Sequence, residues 1–357
     1  MSLVYLSESM FSPREKLLAE HCGISVYAFR YGSGVCALRV LTEAGEFVLL
    51  PFNGQQIWRA RVLGHDLTMK TLFDEPTGSR DFLKTYGGFM LHCGLTGIGS
   101  PGPVDSHLQH GELPNACYQR ASLRLGEDGD GKYVALNGAY RHLVGFTAGY
   151  SFEPECRMYA RRSLVRLMTR IVNLRAKPLG YMYLCHINFR PEDGSKLISS
   201  AMRDRGSYTV HAANDPGELA AFAKRIEEAF SVHEDVGADG ECYDPEICIG
   251  LRYLPDSQGL GHTMQRLPDG YAHYVSHQVR ALPMPVRWIA RTGDEDAMGM
   301  ILPATAEHLG RANAQAKGQI MVLEPGGETR FEMEIGLLPP EDANTMKEHI
   351  KRILEAV

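Results

Sequence analysis

The stretch SVYAFRYGSGVCALRVLTEAGEFVLLPF, residues 25–52, decides the fold. It divides into three short runs, SVYAFRY, VCALRVL and EFVLLPF, each rich in Val, Leu and aromatic residues. Branched and aromatic side chains suit a pleated, half-buried surface. The breaks between them, GSG and EAGE, carry the glycines that tight turns need. Three such runs in succession predict an antiparallel meander.

The same grammar extends in both directions. IWRARV (Ile57–Val62) sets Ile57, Arg59 and Arg61 against Trp58, Ala60 and Val62, which puts both arginines on one strand face. That face reads either as solvent-facing or as a hydroxyl- or anion-binding wall, with Arg59 the candidate. Residues 121–152 and 163–174 alternate strands with turns, and Arg166 and Arg170 alternate with apolar neighbours. YMYLCHINF (181–189) is a strand on which His186 and Asn188 point to one side. Residues 241–256, 269–282 and 285–292 return to strand character. Many short strands and few helices predict an all-β fold, two large antiparallel sheets packed as a sandwich.

Helices are peripheral in this reading. The whole chain, 1–357, is read as one β-sandwich domain. Ser12-Pro13-Arg14-Glu15 has the form of a capping box with Pro at the first helical position, predicting a short helix within segment 1–24. Asp215-Pro216-Gly217-Glu218 opens an inserted helix over 215–230, with Leu219, Phe222, Ala223, Ile226 and Phe230 at helical spacing. Segment 340–357 closes the chain as a helix with Met346, Ile350, Ile353 and Val357 on one side.

Chemistry concentrates in FMLHCGLTGIGSPGPVDSHLQHGELPN, residues 89–115. It holds His92, His107, His110, Asp105 and Glu112 among five Gly and three Pro. Ionisable side chains on a loop held by a scaffold are where reactions tend to sit, although solvated surface histidines give the same pattern. The glycines precede no helix and no Lys follows them, so neither a P-loop nor a dinucleotide site is expected. His92, His107, His110 and His186 offer imidazoles, but a flexible Pro/Gly loop fixes no ligand geometry, and no metal or other cofactor is expected.

Bulk properties narrow the class. The 357 residues are 44% hydrophobic with a net charge of -6 and a pI near 6.2, so nucleic acid is not an expected partner. No apolar run is long enough to span a membrane. The start MSLVYLSESMFSPREK lacks a basic and then apolar leader. Eight cysteines stand scattered without a CxxC, which suits reduced thiols in the cytoplasm. Exposed sheet edges leave a homodimer open.

Four stretches, taken in order, resemble one family. They are QQIWRARVLGHDLTMKTLF (55–73), TYGGFMLHCGLTGIGSPGPVDSHLQHGELPN (85–115), YMYLCHINF (181–189) and ILPATAEHLGRANAQAKGQIMVLEPGG (301–327). Together they are similar to the aldose 1-epimerase, or galactose mutarotase-like, superfamily, and within it to the bacterial DUF4432 branch. The resemblance runs from about Gly54 to Leu338. It implies a β-supersandwich with a monosaccharide cleft, and acid–base interconversion of sugar anomers. It also implies roles: His186 as general acid, His110 orienting hydroxyls or sharing proton transfer, and Arg59, His107 and Asn188 binding hydroxyls. Trp288 is read as either a sugar-stacking or a core residue. The family's basic glutamate, at the end of a late strand, falls here near Leu302. Glu307, the next carboxylate, is the substitute base, with Asp105 and Glu112 as further carboxylates near the sugar. Two other functions stay open, a non-catalytic carbohydrate-binding protein and another sugar isomerase using the histidine cluster.

Overall fold

The computed structural model describes residues 2–212, 217–238 and 240–356. The predicted meander is present as strands Ile24–Arg30, Cys36–Leu41 and Gly45–Leu49, paired in sequence. Strand Lys16–His21 precedes them and Ile57–Val62 follows, then Met90–Leu95 and Leu179–Ile187. A second, nine-stranded sheet is built on the hairpins Arg120–Asp128, Gly131–Val144, Ala148–Tyr159 and Leu164–Asn173. Glu328–Leu338, Ala272–Gln278 and Leu260–Arg266 continue it.

Period two sets the layers. Along Leu164–Asn173, Val165, Leu167, Thr169 and Ile171 are buried, while Arg166 and Arg170 look outward. Outside, Arg170 pairs with Glu153 and Glu328, and Arg166 pairs with Glu334 and Asp130. Inside, the sheets meet through Phe152, Tyr183 and Phe331, with Tyr183 at ring-centroid distances of 6.0 and 4.7 Å from the two phenylalanines. The fold is the antiparallel β-sandwich that the alternation predicts.

A four-stranded sheet, Tyr208–Ala212, Ile247–Leu251, Val286–Arg291 and Asp296–Leu302, extends the meander sheet. Isolated bridges Leu184–Ala304 and Phe189–Met298 join its edge to Leu179–Ile187 and to the residues that follow that strand. Residues of Leu179–Ile187 that point away from the sandwich core therefore share one surface with those of the added sheet.

Helices lie at the periphery. Glu218–Glu228 buries Leu219, Phe222, Ala223 and Ile226. Its expected opening residues Asp215 and Pro216 lie outside the described residues. Pro340–Glu355 buries Ala343, Ile350 and Ile353, and Val357 is likewise outside the described range. Ser12–Glu15 is not helical. The Ser12 hydroxyl donates to Arg14 O, so it caps no N–H, and Glu15 is held by Arg39 at 2.6 Å. The chain enters strand Lys16–His21 instead, and the helical turn of this segment is a 3-10 turn at Glu8–Met10. All eight cysteines are free; Cys22 and Cys117 are exposed, and five of the others are buried. No helix among the described residues is long and apolar enough to cross a membrane.

Burial holds several histidines neutral. It lowers His92, His273 and His277 to about 3, and His186 and His308 to about 4. An unfolded chain takes up protons at these rings near pH 6.5, whereas the folded chain does so only near pH 3–4. Their contribution is therefore complete above pH 6.5 and is lost as pH falls towards 4. Each ring costs about 1.4 kcal/mol per pH unit across that window. Urea midpoints measured at pH 7.5, 6.5, 5.5 and 4.5 are expected to drop steeply below 6.5. A flat series would show that these rings are not buried as neutral groups.

Candidate active site

The shared surface carries a small cavity. Strand Leu179–Ile187 supplies Leu184 and His186, Val286–Arg291 supplies Val286 and Trp288, and Asp296–Leu302 supplies Leu302. Glu246 and Cys248 come from the start of Ile247–Leu251. Three loops cover it, bringing Phe82 and Tyr86, then Gly99 and His110, then His308.

Backbone conformation explains how the long loop reaches the cavity. His110 and Gly111 both take left-handed conformations, with φ of 56° and 77°. Two such residues in a row fold the loop back against strand Met90–Leu95, where Gly94 N donates to His110 O at 2.9 Å. A Cβ on Gly111 would stand 2.4 Å from Gly94 O, so this position needs glycine. Arg59 secures the loop that carries Phe82 and Tyr86. Its guanidinium donates to Phe73 O at 2.5 Å and to Gly87 O at 2.8 Å, the two ends of that loop.

The hydrogen bonds assign the tautomer of His186. Asn188 Nδ2 donates to Gly88 O at 2.8 Å, which turns Oδ1 towards the histidine. Oδ1 then accepts from His186 Nδ1 at 2.7 Å and from the Tyr86 hydroxyl at 2.9 Å. The proton therefore sits on Nδ1, and Nε2 carries a lone pair. His110 has the opposite arrangement. Its Nδ1 accepts from Gly99 N at 3.4 Å, leaving the proton on Nε2. The two rings stand 5.3 Å apart edge to face, and Trp288 lies 5.0 Å from His186. Burial pushes His110 well below the ordinary histidine range, and the neighbouring His186 adds to this. His308 Nδ1 is buried without a partner among the described residues.

The other residues singled out in the sequence fall elsewhere. Glu307 does not line the cavity. Its carboxylate accepts from Lys317 at 2.6 Å and Gln319 at 3.0 Å. Burial raises its pKa, but those hydrogen bonds outweigh burial and hold it below the ordinary value. Asp105 accepts from Gly102 N at 2.9 Å and Ala312 N at 2.8 Å, capping the short helix Arg311–Ala316 from outside. His107 packs beside Asp105, with Nδ1 bonded to Leu108 O at 2.7 Å. Glu112 accepts from Leu95 N at 3.1 Å, from both Thr96 donors and from the Tyr150 hydroxyl. Arg59 works behind the wall, stacked on Trp58 at 4.3 Å. Trp288 is half-buried at the cavity, and Trp58 is the tryptophan of the core. His92 faces the sandwich interior, bonded to Tyr183 Oη at 2.7 Å, so the four early imidazoles do not converge.

Four cavity residues had no clear signal in the sequence: Phe82, Tyr86, Glu246 and His308. Glu246 accepts from Trp288 Nε1 at 2.6 Å and is the carboxylate among the cavity residues. Larger hollows exist, of about 540 and 780 Å³ against about 110 Å³ here. In the first, Arg124, Arg157 and Arg170 are already paired with Glu153 and Glu155. In the second, Asp105, Glu112, Arg175 and Arg311 all hold protein partners. In the smaller cavity His308 Nδ1 is buried with no partner among the described residues.

Comparison with known proteins agrees with this architecture. Residues 32–337 match the family described as a domain of unknown function, DUF4432. Among curated proteins, no sequence matches the chain. A crystal structure from Klebsiella pneumoniae, provisionally described as an aldose 1-epimerase, superposes with a TM-score of 0.80 at 17% identity, covering 94% of this chain and 89% of that one. A galactose mutarotase-like protein from Clostridium acetobutylicum gives a TM-score of 0.59 at 12% identity, covering 87% and 98%. A GalM/aldose epimerase homologue from C. elegans gives 0.52 at 11%, covering 83% and 96%. The chain belongs to the DUF4432 family and has the galactose mutarotase-like β-sandwich fold.

Proposed function

We propose that the cavity binds a monosaccharide and interconverts its anomers. The observation that carries this reading is the pair of imidazoles 5.3 Å apart, an acceptor at His186 Nε2 and a donor at His110 Nε2, with the Trp288 ring 5.0 Å from His186. Mutarotation needs a proton taken from the anomeric hydroxyl and a proton given to the ring oxygen. The two oxygens share one carbon, so a single nitrogen can serve both.

In this mechanism His186 Nε2 accepts the proton of the anomeric hydroxyl. The C=O double bond forms, the bond from the anomeric carbon to the ring oxygen breaks, and its electron pair stays on the ring oxygen. His110 Nε2–H steadies that oxygen by hydrogen bonding, and His186 returns the proton to it. Rotation of the carbonyl and the reverse sequence give the other anomer. His186 is thus base first and acid second, which departs from a role as general acid alone. Asn188 keeps the other ring proton in place, Trp288 stacks on the C–H face of the sugar, and Glu246 accepts from a hydroxyl. The similar folds named for aldose epimerases and mutarotases support the substrate class. Leu302 among the cavity residues favours a second reading, sugar binding without catalysis, because the resemblance puts a glutamate there.

Saturation-transfer NMR on a panel of pentoses, hexoses and deoxy sugars tests the activity. At least one sugar is expected to exchange anomers faster with the protein, and His186→Ala to slow that exchange by about 100-fold or more. Calorimetric binding with no accelerated exchange for any sugar would select the second reading. The pH profile tests the proton assignment. His186 titrates at about 4, so the neutral ring is fully populated from pH 6 to 8 and kcat/KM should be level there. A tenfold fall per unit across that range would instead identify an imidazolium donor. Trp288→Leu should raise KM roughly three- to tenfold with little change in kcat, the size of an aromatic contact; an unchanged KM would remove the stacking role.

A further inference from the structure

Away from the cavity, three metal-ligating side chains converge where the C-terminal helix packs on the nine-stranded sheet. Asp256 stands in the turn before strand Leu260–Arg266, His262 lies on that strand, and His349 projects from helix Pro340–Glu355. Asp256 Oδ2 is 3.1 Å from His262 Nε2 and 3.4 Å from His349 Nε2. All three ligand atoms lie within 4.8 Å of one another. Tetrahedral bonds of about 2.0–2.2 Å place neighbouring ligand atoms about 3.3 Å apart. Two edges of the triangle already match that spacing. The third closes by rotation of His349, whose side chain is 33% exposed on the helix.

The groups behind the ligand atoms are already held. Asp256 Oδ1 accepts from Gln258 N at 2.8 Å and Leu260 N at 2.9 Å, which aims Oδ2 at the histidines. His262 Nδ1 lies 2.8 Å from the Tyr274 hydroxyl. A partner on the distal ring nitrogen is what orients a metal-binding imidazole.

We propose that Asp256, His262 and His349 bind a divalent transition-metal ion of the zinc class. Two imidazoles and one carboxylate suit zinc and its neighbours rather than magnesium or calcium, which prefer all-oxygen sets. Water takes the fourth position on the open side beside His349. The ion cross-links helix Pro340–Glu355 to the sheet it covers, next to the apolar contacts of Ala343 and Ile350 with Met264 and Tyr274. None of the three ligands lines the cavity described above, so the site stands independently of the proposed sugar chemistry.

The test uses the full chain, stripped with a chelator and desalted. On addition of zinc chloride, elemental analysis should find one tightly held zinc per chain. The Tm should rise by about 3 °C or more and return to its starting value with EDTA. Cobalt(II) in place of zinc should give the visible absorption of a tetrahedral nitrogen–oxygen site. His349→Ala and His349→Gln change a partly exposed helix position and should keep the zinc-free Tm near that of the parent. Both should lose the zinc-dependent rise and the cobalt band. Failure of the parent to retain zinc, or an undiminished response in both variants, overturns the proposal.

Discussion

Five hydrogen bonds at Asn188 hold the candidate active site in place. Its backbone N–H donates to Phe89 O at 2.8 Å, and its carbonyl accepts from Met69 N at 2.9 Å. Its amide donates to Gly88 O, and its side-chain oxygen accepts from both Tyr86 and His186. The residue is fully buried, so each polar atom left unpaired would cost the full desolvation of that group. One side chain thereby joins the end of strand Leu179–Ile187 to the segment leading into Met90–Leu95. It also decides which nitrogen of His186 carries the proton. Position and protonation of the His186 ring are set by the same contact.

The two sides of the sandwich treat charge in opposite ways. Outside the nine-stranded sheet, arginines and carboxylates alternate along neighbouring strands and neutralise one another in contact with water. Around the cavity the ionisable groups are mainly buried imidazoles without a buried counter-charge. Desolvation holds these rings neutral. The same desolvation makes the folded state sensitive to acid, because protonation of each ring favours the open chain. Stability below neutrality and site chemistry thus rest on one physical term.

Glutamates and aspartates near the cavity show how neighbours in sequence part ways in the fold. Glu307 and His308 are adjacent, yet Glu307 turns to Lys317 and Gln319 while His308 meets the cavity. A step of one residue changes the side on which a group emerges. Asp105 and Glu112 stand in the loop that delivers His110, but both are used to hold it, one capping Arg311–Ala316 and the other binding Leu95, Thr96 and Tyr150. Ionisable residues in a dense loop serve the loop first, since its backbone N–H groups need acceptors once they leave the sheet. Arg59 follows the same rule, donating to three carbonyls, those of Trp58, Phe73 and Gly87.

From the sequence alone came the strands, the meander of residues 25–52, the sandwich, and the placing of His186 and Asn188 on one face. Each follows from period-two alternation and from glycines at turns, which are local properties of a chain. His110 and Trp288 were also visible as candidates. Only the tertiary structure decided that Glu246, Tyr86, Phe82 and His308 join them, and that Asp256 meets His262 and His349. Those groups are brought together by strand register between distant segments and by loops that double back. No local periodicity encodes the distance between side chains so far apart in the chain.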